Sequence, residues 1–75
     1  MEKETVNVKL KTVLQKIIAR REELGITQWD LAKQLHMTSN GYFKVEKGIT
    51  KLDVKRLIEI AEVLEMNPTY FFEGM

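Results

Sequence analysis

The chain contains no cysteine, and this absence removes two ways of stabilising a small fold. Disulfides and thiolate metal sites are both excluded, and one histidine alone gives no recognisable metal-binding pattern. At 75 residues the chain lies near the lower limit for a domain that folds on its own apolar core. Hydrophobic packing or oligomerisation must therefore hold it together, and the sequence indicates neither a metal nor a cofactor.

Long apolar runs are absent as well. None approaches the roughly 20 residues that a membrane-spanning helix requires, and the opening MEKETVNVK lacks the apolar core of a signal peptide. We therefore expect a soluble, cytoplasmic protein with no membrane partner. Nothing in the sequence indicates a small-molecule pocket.

Helix breakers are scarce, with one proline and four glycines, and apolar residues recur between them at steps of three and four. We expect a flexible N-terminus over residues 1–7 and a single all-α domain over residues 8–75. The pattern predicts five helices: 8–23, 28–35, 39–46, one that Asp53 caps, and a last short one from Pro68 to about Phe72. On the fourth, the predicted inward face is Val54, Leu57, Ile58, Ala61 and Leu64.

The stretch SNGYF, residues 39–43, is ambiguous at first sight. Asn-Gly followed by two aromatics is typical of a β-hairpin, but no other segment offers a strand as a partner. A helix fits better, because Thr38 or Ser39 can cap its start and Gly48 can end it. Gly41 then costs that helix up to about 1 kcal/mol relative to alanine.

Two short helices separated by three residues form a helix-turn-helix. Ala32 is small enough for the helices to cross closely, and Met37 fills the turn between them. Tyr42 and Val45, three residues apart, anchor the second helix from behind.

The stretch GITQWDLAKQLHMTSNGYFKVEKG resembles the Cro/phage-repressor (XRE) type of helix-turn-helix transcriptional regulators. The segment LIEIAEVLEMNPTYFF resembles the same family's closing helices, so the likeness covers residues 10–72. It implies a five-helix, phage-repressor-like DNA-binding domain. One departure is His36, which stands where the family usually has glycine and would have to adopt a left-handed conformation.

The resemblance also implies which residues contact double-stranded DNA. The second helix of such a motif lies in the major groove and its outward residues reach the base edges; here these are Ser39, Asn40, Phe43 and Lys44. Asparagine can pair with adenine, lysine can donate to guanine, and phenylalanine can pack on a thymine methyl group. Gly41 either permits close approach to the DNA or is merely tolerated.

Phosphate contacts are expected from Gln28, Thr50 and Lys51, which match family positions that contact the DNA backbone. Trp29 either lies against that backbone or covers Lys33 and the surface of helix 1, and we favour the second interpretation. Arg21 and Glu46 match an ion pair of phage repressors that joins helix 1 to the recognition helix.

Charge is unevenly distributed along the chain. Residues 1–51 carry ten Lys and Arg against six Asp and Glu, whereas residues 52–75 carry two against five. A polyanion would therefore meet the first two-thirds of the domain. Enzymatic activity is not expected, because the only nucleophile-type cluster, Asp30, His36 and Ser39, has no recognisable oxyanion donors.

Large apolar residues are concentrated in the acidic last third. We expect them to form a homodimer interface, which would place two recognition helices on a palindromic site; the residues are Ile60, Val63, Met66, Tyr70, Phe71 and Phe72. The expected function is therefore that of a homodimeric, sequence-specific transcriptional regulator, with repression or activation left open. The alternative is an antitoxin or protein-interaction adaptor in which DNA binding is secondary.

Overall fold

Four α-helices and one 3-10 helix make up the computed structural model, which describes residues 2–74. The α-helices are α1 (Glu2–Glu23), α2 (Gln28–Gln34), α3 (Ser39–Glu46) and α4 (Val54–Val63). The 3-10 helix spans Pro68–Phe72. No strand occurs within residues 2–74, which confirms the all-α class and the helical state of the SNGYF stretch.

Two predictions about the helices were wrong: there are four α-helices rather than five, and the first helix begins earlier than expected. The fifth helix is a 3-10 helix rather than an α-helix. Its backbone hydrogen bonds join residues three apart, as in Tyr70 N–H to Asn67 O at 2.9 Å. The first helix begins at Glu2 rather than at residue 8. Residues 2–7 contain no glycine or proline, so nothing in the sequence stops α1 from extending through the segment that we expected to be flexible. Residue 1 of that segment lies outside the described residues.

Side chains cap the starts of α2, α4 and the 3-10 helix. Thr27 caps α2 and forms a capping box with Asp30, and Asp53 caps α4 by accepting the Arg56 N–H at 2.7 Å. Asn67 precedes Pro68 and accepts the Thr69 N–H at 3.0 Å. These side chains satisfy backbone donors that a helix start leaves free.

All four α-helices end in the same way, with one residue in the left-handed conformation. This conformation lets backbone N–H groups beyond the helix donate to its last carbonyl groups. Gly25 ends α1 and Gly48 ends α3, at φ values of 71° and 77°. His36 ends α2 at φ 58°, which confirms the conformation expected there, and Glu65 ends α4 at φ 53°. At the end of α2, Met37 donates its N–H to Ala32 O at 2.8 Å and His36 donates to Lys33 O at 3.1 Å.

Replacing His36 with glycine should stabilise the fold, by about 1 kcal/mol, because a side chain in the left-handed region is strained and glycine is not. Urea unfolding followed by circular dichroism measures the change. Gln34→Gly on the exposed side of α2 is the matched control and should destabilise by a similar amount. A destabilised His36→Gly would show that the imidazole makes a favourable contact that outweighs the strain.

One core joins all five elements. Its fully or nearly fully buried apolar residues come from every helix: Val13, Leu14, Ile17, Leu31, Ala32, Leu35, Tyr42, Val45, Leu57, Ile60, Ala61, Leu64 and Phe71. The predicted inward face of α4 was wrong at two positions, since Val54 is 72% exposed and Ile58 is 47% exposed. Ile60 takes their place, because the 3-10 helix packs against α4 and brings Phe71 into the core.

Candidate nucleic-acid interface

The outward face of α3 carries the four residues predicted to contact bases. Ser39, Asn40, Phe43 and Lys44 are all exposed, whereas Tyr42 and Val45 on the opposite face are buried. The four recur at steps of three and four, so they form one continuous surface. Thr38 fixes the start of this helix by accepting the Gly41 N–H at 3.0 Å.

Contacts within the fold explain why position 41 is glycine. A Cβ atom added at this position would lie 3.0 Å from the capping hydroxyl Oγ1 of Thr38 and 3.8 Å from Cε of Met37. The cap would have to shift to admit a side chain. Close approach to DNA is thus not needed to account for glycine here, although it stays an open prediction.

The far end of α3 is tied to two other helices through one buried carboxylate. Arg21 of α1 donates to Glu46 through Nε at 2.8 Å and through Nη2 at 3.3 Å, so the predicted ion pair is present. Gln28 of α2 donates to the same carboxylate at 2.8 Å, and Arg21 also donates to the carbonyl of Ile26 at 2.9 Å. We name Arg21, Gln28 and Glu46 the carboxylate triad.

Competing effects act on the protonation of Glu46. Burial raises the pKa of its carboxyl group, but the hydrogen bond from Arg21, the nearby Tyr42 hydroxyl, the hydrogen bond from Gln28 and the charge of Arg21 together outweigh burial and hold the pKa below its ordinary value. Tyr42 places its buried hydroxyl near this carboxylate without reaching hydrogen-bond geometry, and no described residue pairs with it. Burial together with the neighbouring negative charge raises the pKa of Tyr42, so the phenol stays neutral.

The residues predicted to bind phosphate flank the triad end of α3. Gln28 is half-buried and its amide already donates to Glu46, a contact that was not predicted because the resemblance assigned Gln28 to phosphate binding instead. Thr50 and Lys51 are exposed just after α3, where the Thr50 N–H bonds to Lys44 O at 3.2 Å. Trp29 is 59% exposed, with the Lys33 ammonium 5.1 Å from its ring centre.

One cationic residue of this surface escaped prediction. Lys47 lies four residues after Phe43 and places its ammonium 5.4 Å from the centre of the Phe43 ring. The spacing i to i+4 was visible in the sequence and could have indicated the pair. Phe43 is 39% exposed and lies on the same outward face of α3 as Asn40 and Lys44.

The predicted dimer residues do not form one surface. Ile60 and Phe71 have no exposed area, so neither can contact another chain, and their assignment to an interface was wrong. Val63 and Met66 are half-buried and pack against the core. Tyr70 and Phe72 are exposed, but Tyr70 is engaged by Lys16, whose ammonium lies 5.1 Å from its ring centre.

Other kinds of site find no support within residues 2–74. These residues hold no cluster of three or more His, Asp or Glu that could bind a metal ion. None of the helices described over the same range has the length and apolar character needed to cross a membrane.

A family model described as helix-turn-helix matches residues 17–71, which include the whole of α2, α3 and α4. The chain belongs to the XRE-type helix-turn-helix family. The match covers the carboxylate triad and every predicted DNA-contacting residue, and it confirms the resemblance found in the sequence. Residues 2–16, which form most of α1, lie outside the family match.

Three similar proteins come from bacteria of the genera Rickettsia and Sinorhizobium. The chain is 41% identical over 61 residues to an uncharacterized HTH-type transcriptional regulator of Rickettsia prowazekii, which covers 81% of this chain and 47% of the relative. A similarly named protein of Rickettsia conorii is 39% identical over 81% of the chain and 49% of its own length. One from Sinorhizobium fredii is 36% identical, covering 79% and 41%. The chain thus spans about half the length of these relatives, and no solved structure matches it.

Proposed function

We propose that the chain is a sequence-specific, DNA-binding transcriptional regulator that acts in the cytoplasm as a homodimer on a palindromic operator. The outward face of α3 carries this proposal, since it presents Ser39, Asn40, Phe43 and Lys44 on a helix anchored by its opposite face. The major groove is wide enough to admit an α-helix, and these side-chain types suit its base edges. The chain is not proposed to be an enzyme.

Electrostatics favour the same face. Lys44, Lys47 and Lys51 are exposed on α3 or directly after it, and the only carboxylate of α3, Glu46, is neutralised by Arg21. A phosphate backbone approaching α3 therefore meets positive charge without an opposing free carboxylate. Binding should accordingly weaken steeply as salt rises, because phosphate contacts release counterions.

The names of the relatives support regulation of transcription. Three proteins that match four-fifths of this chain are named HTH-type transcriptional regulators. A protein-interaction role, as an antitoxin or adaptor, is the second candidate. It is favoured by two exposed aromatics, Trp29 and Phe43, which could equally pack against another protein.

Selection from a random double-stranded DNA library distinguishes the two candidates. Enrichment of a palindrome with half-sites about one helical turn apart supports a DNA-reading dimer. Recovery of an asymmetric motif supports base reading but contradicts the dimer. Failure to enrich any sequence contradicts sequence-specific binding and leaves the protein-interaction role.

Asn40→Ala should cost about 1–3 kcal/mol of binding free energy on the selected site and relax the preference at one base position. Lys51→Ala is the matched comparison and should weaken binding to selected and random DNA alike, since a phosphate contact carries no sequence information. Fluorescence anisotropy with both DNAs measures the two effects. Equal losses on both DNAs for Asn40→Ala would remove its assigned role.

A further inference from the structure

An apolar groove lies where the first half of α1 faces the start of α4. Its floor is formed by buried core residues, and its exposed rim consists of Val6, Leu10, Val54 and Phe72. Val54 is 72% exposed, Val6 is 62% exposed and Phe72 is 54% exposed, although each is an apolar side chain. The groove has a volume of about 320 Å³. We name it the α1–α4 groove.

We propose that a second copy of this chain occupies the α1–α4 groove, so that this groove, which includes only Phe72 of the six residues expected from the sequence, is the homodimer interface. The proposal rests on the homodimer inferred above and assigns its surface. Contiguous apolar surface on a small protein that is rimmed by charges is typical of an interaction site.

The total exposed area indicates an unfilled interface of the right size. The chain exposes 5431 Å², whereas a compact monomer of its mass is expected to expose about 4,800 Å². The excess, on the order of 600 Å², approaches the roughly 800 Å² that each partner contributes to a standard protein interface. Val6, Val8 and Leu10, which precede the core residues Val13 and Leu14 on α1, are exposed apolar side chains that contribute to this area.

The two opposite charges at the rim of the groove are placed so that they could pair across a two-fold axis. Lys9 and Asp53 line the groove on opposite sides, and both are exposed. Lys9 makes no ion pair with any described residue, and Asp53 uses one carboxylate oxygen to cap α4. In a symmetric dimer, each contact made by one copy is repeated by the other. Lys9 can therefore pair with Asp53 of the partner subunit, and the reverse pair forms at the same time.

The position of the groove also suits DNA binding. Leu52, Asp53 and Val54 line it directly after Thr50 and Lys51, which are proposed to contact phosphate. Pairing at this position brings the two copies together beside the ends of their α3 helices.

The test uses two valines of α1 that differ in position but not in exposure. Val6 lines the groove and is 62% exposed, whereas Val8 points elsewhere and is 63% exposed. Because neither side chain is buried in the single chain, lysine at either position should leave the fold intact, which circular dichroism and thermal unfolding check. Val6→Lys would bring an ammonium group into an apolar interface, where an unpaired charge is costly.

Sedimentation equilibrium should show a monomer–dimer equilibrium whose dissociation constant rises at least about tenfold in Val6→Lys and stays unchanged in Val8→Lys. Lys9→Glu should also weaken the dimer, because it faces Asp53 across the axis, whereas Lys11→Glu on the other side of α1 should not. A strictly monomeric wild type, or equal effects of the two valine variants, overturns the groove as the interface.

Binding to an isolated DNA half-site separates this proposal from the proposed function. Val6→Lys should bind a half-site as the wild type does and lose affinity only for the full palindrome. If the wild type dimerises and binds a palindrome, and Val6→Lys dimerises and binds it equally well, the groove is not the interface. The proposed regulatory function is then still supported. If no DNA sequence is preferred while Val6→Lys and Val8→Lys behave as expected, the proposed regulatory function is contradicted and the proposed interface is supported.

Discussion

Replacing Arg21 with methionine should destabilise the fold by about 3–5 kcal/mol, which is the usual cost of leaving one member of a buried ion pair without its partner. The side chains of Arg21 and Glu46 are only 11% and 3% exposed, so water cannot replace the lost guanidinium. Urea unfolding at pH 7 measures the difference. Glu59→Gln breaks the Arg56–Glu59 pair, whose side chains are 32% and 42% exposed, and as a control should cost less than about 1 kcal/mol.

The pH dependence of the unfolding free energy shows whether the stability lost in Arg21→Met comes from charge rather than from packing. In the wild type the folded pKa of Glu46 is depressed, so its contribution is present above the ordinary glutamate pKa and is lost as pH falls through the folded value. Without Arg21, burial should dominate and raise that pKa. The variant should then gain stability relative to the wild type as pH falls towards 4. A difference that stays constant with pH would mean that Arg21 acts through packing alone.

Phe71→Ala should cost about 3–5 kcal/mol of folding stability, because it empties a fully buried site that joins the 3-10 helix to the core. Phe72→Ala is the matched control. Its ring is 54% exposed, so its removal should cost less than about 1 kcal/mol in the monomer. Thermal unfolding at two protein concentrations separates folding from self-association.

The opposite outcome would restore the original assignment of Phe71. If Phe71→Ala left the monomer stable and removed only the dimer, Phe71 would belong to an interface and the packing of the 3-10 helix would differ from that described. Phe72→Ala should instead weaken the dimer, since Phe72 lines the α1–α4 groove.

Features of the fold that depend on residues close together in the chain could be predicted from the sequence. Thr27, Thr38 and Asp53 cap α2, α3 and α4 through bonds that span three residues, so local sequence indicates where these three helices start, to within one residue for α3. The outward face of α3 could be predicted because Tyr42 and Val45 define the opposite face. The start of α1 was missed because no sequence signal marks it: residues 2–7 contain neither a cap with a clear pattern nor a breaker.

Tertiary contacts decided what the sequence left ambiguous. On α4, Val54 and Ile58 follow the same helical spacing as Leu57 and Ala61, and only the placement of the 3-10 helix selects Ile60 for the core. The bond between Gln28 and Glu46 joins residues of different helices, so no local pattern announces it. For the same reason, the burial of Phe71 and the exposure of Phe72 could not be distinguished in a run of adjacent aromatics.

The carboxylate triad has a thermodynamic consequence for association. Since Glu46 holds α3 to α1 through Arg21 and to α2 through Gln28, the recognition helix is fixed before any ligand arrives. Ordering a mobile segment during binding opposes affinity, and a prearranged surface avoids that entropic loss. If Gln28 contacts a phosphate as the sequence predicts, its amide would have to share or leave Glu46. The internal cost of binding DNA at this point would then come from exchanging that hydrogen bond rather than from ordering α3.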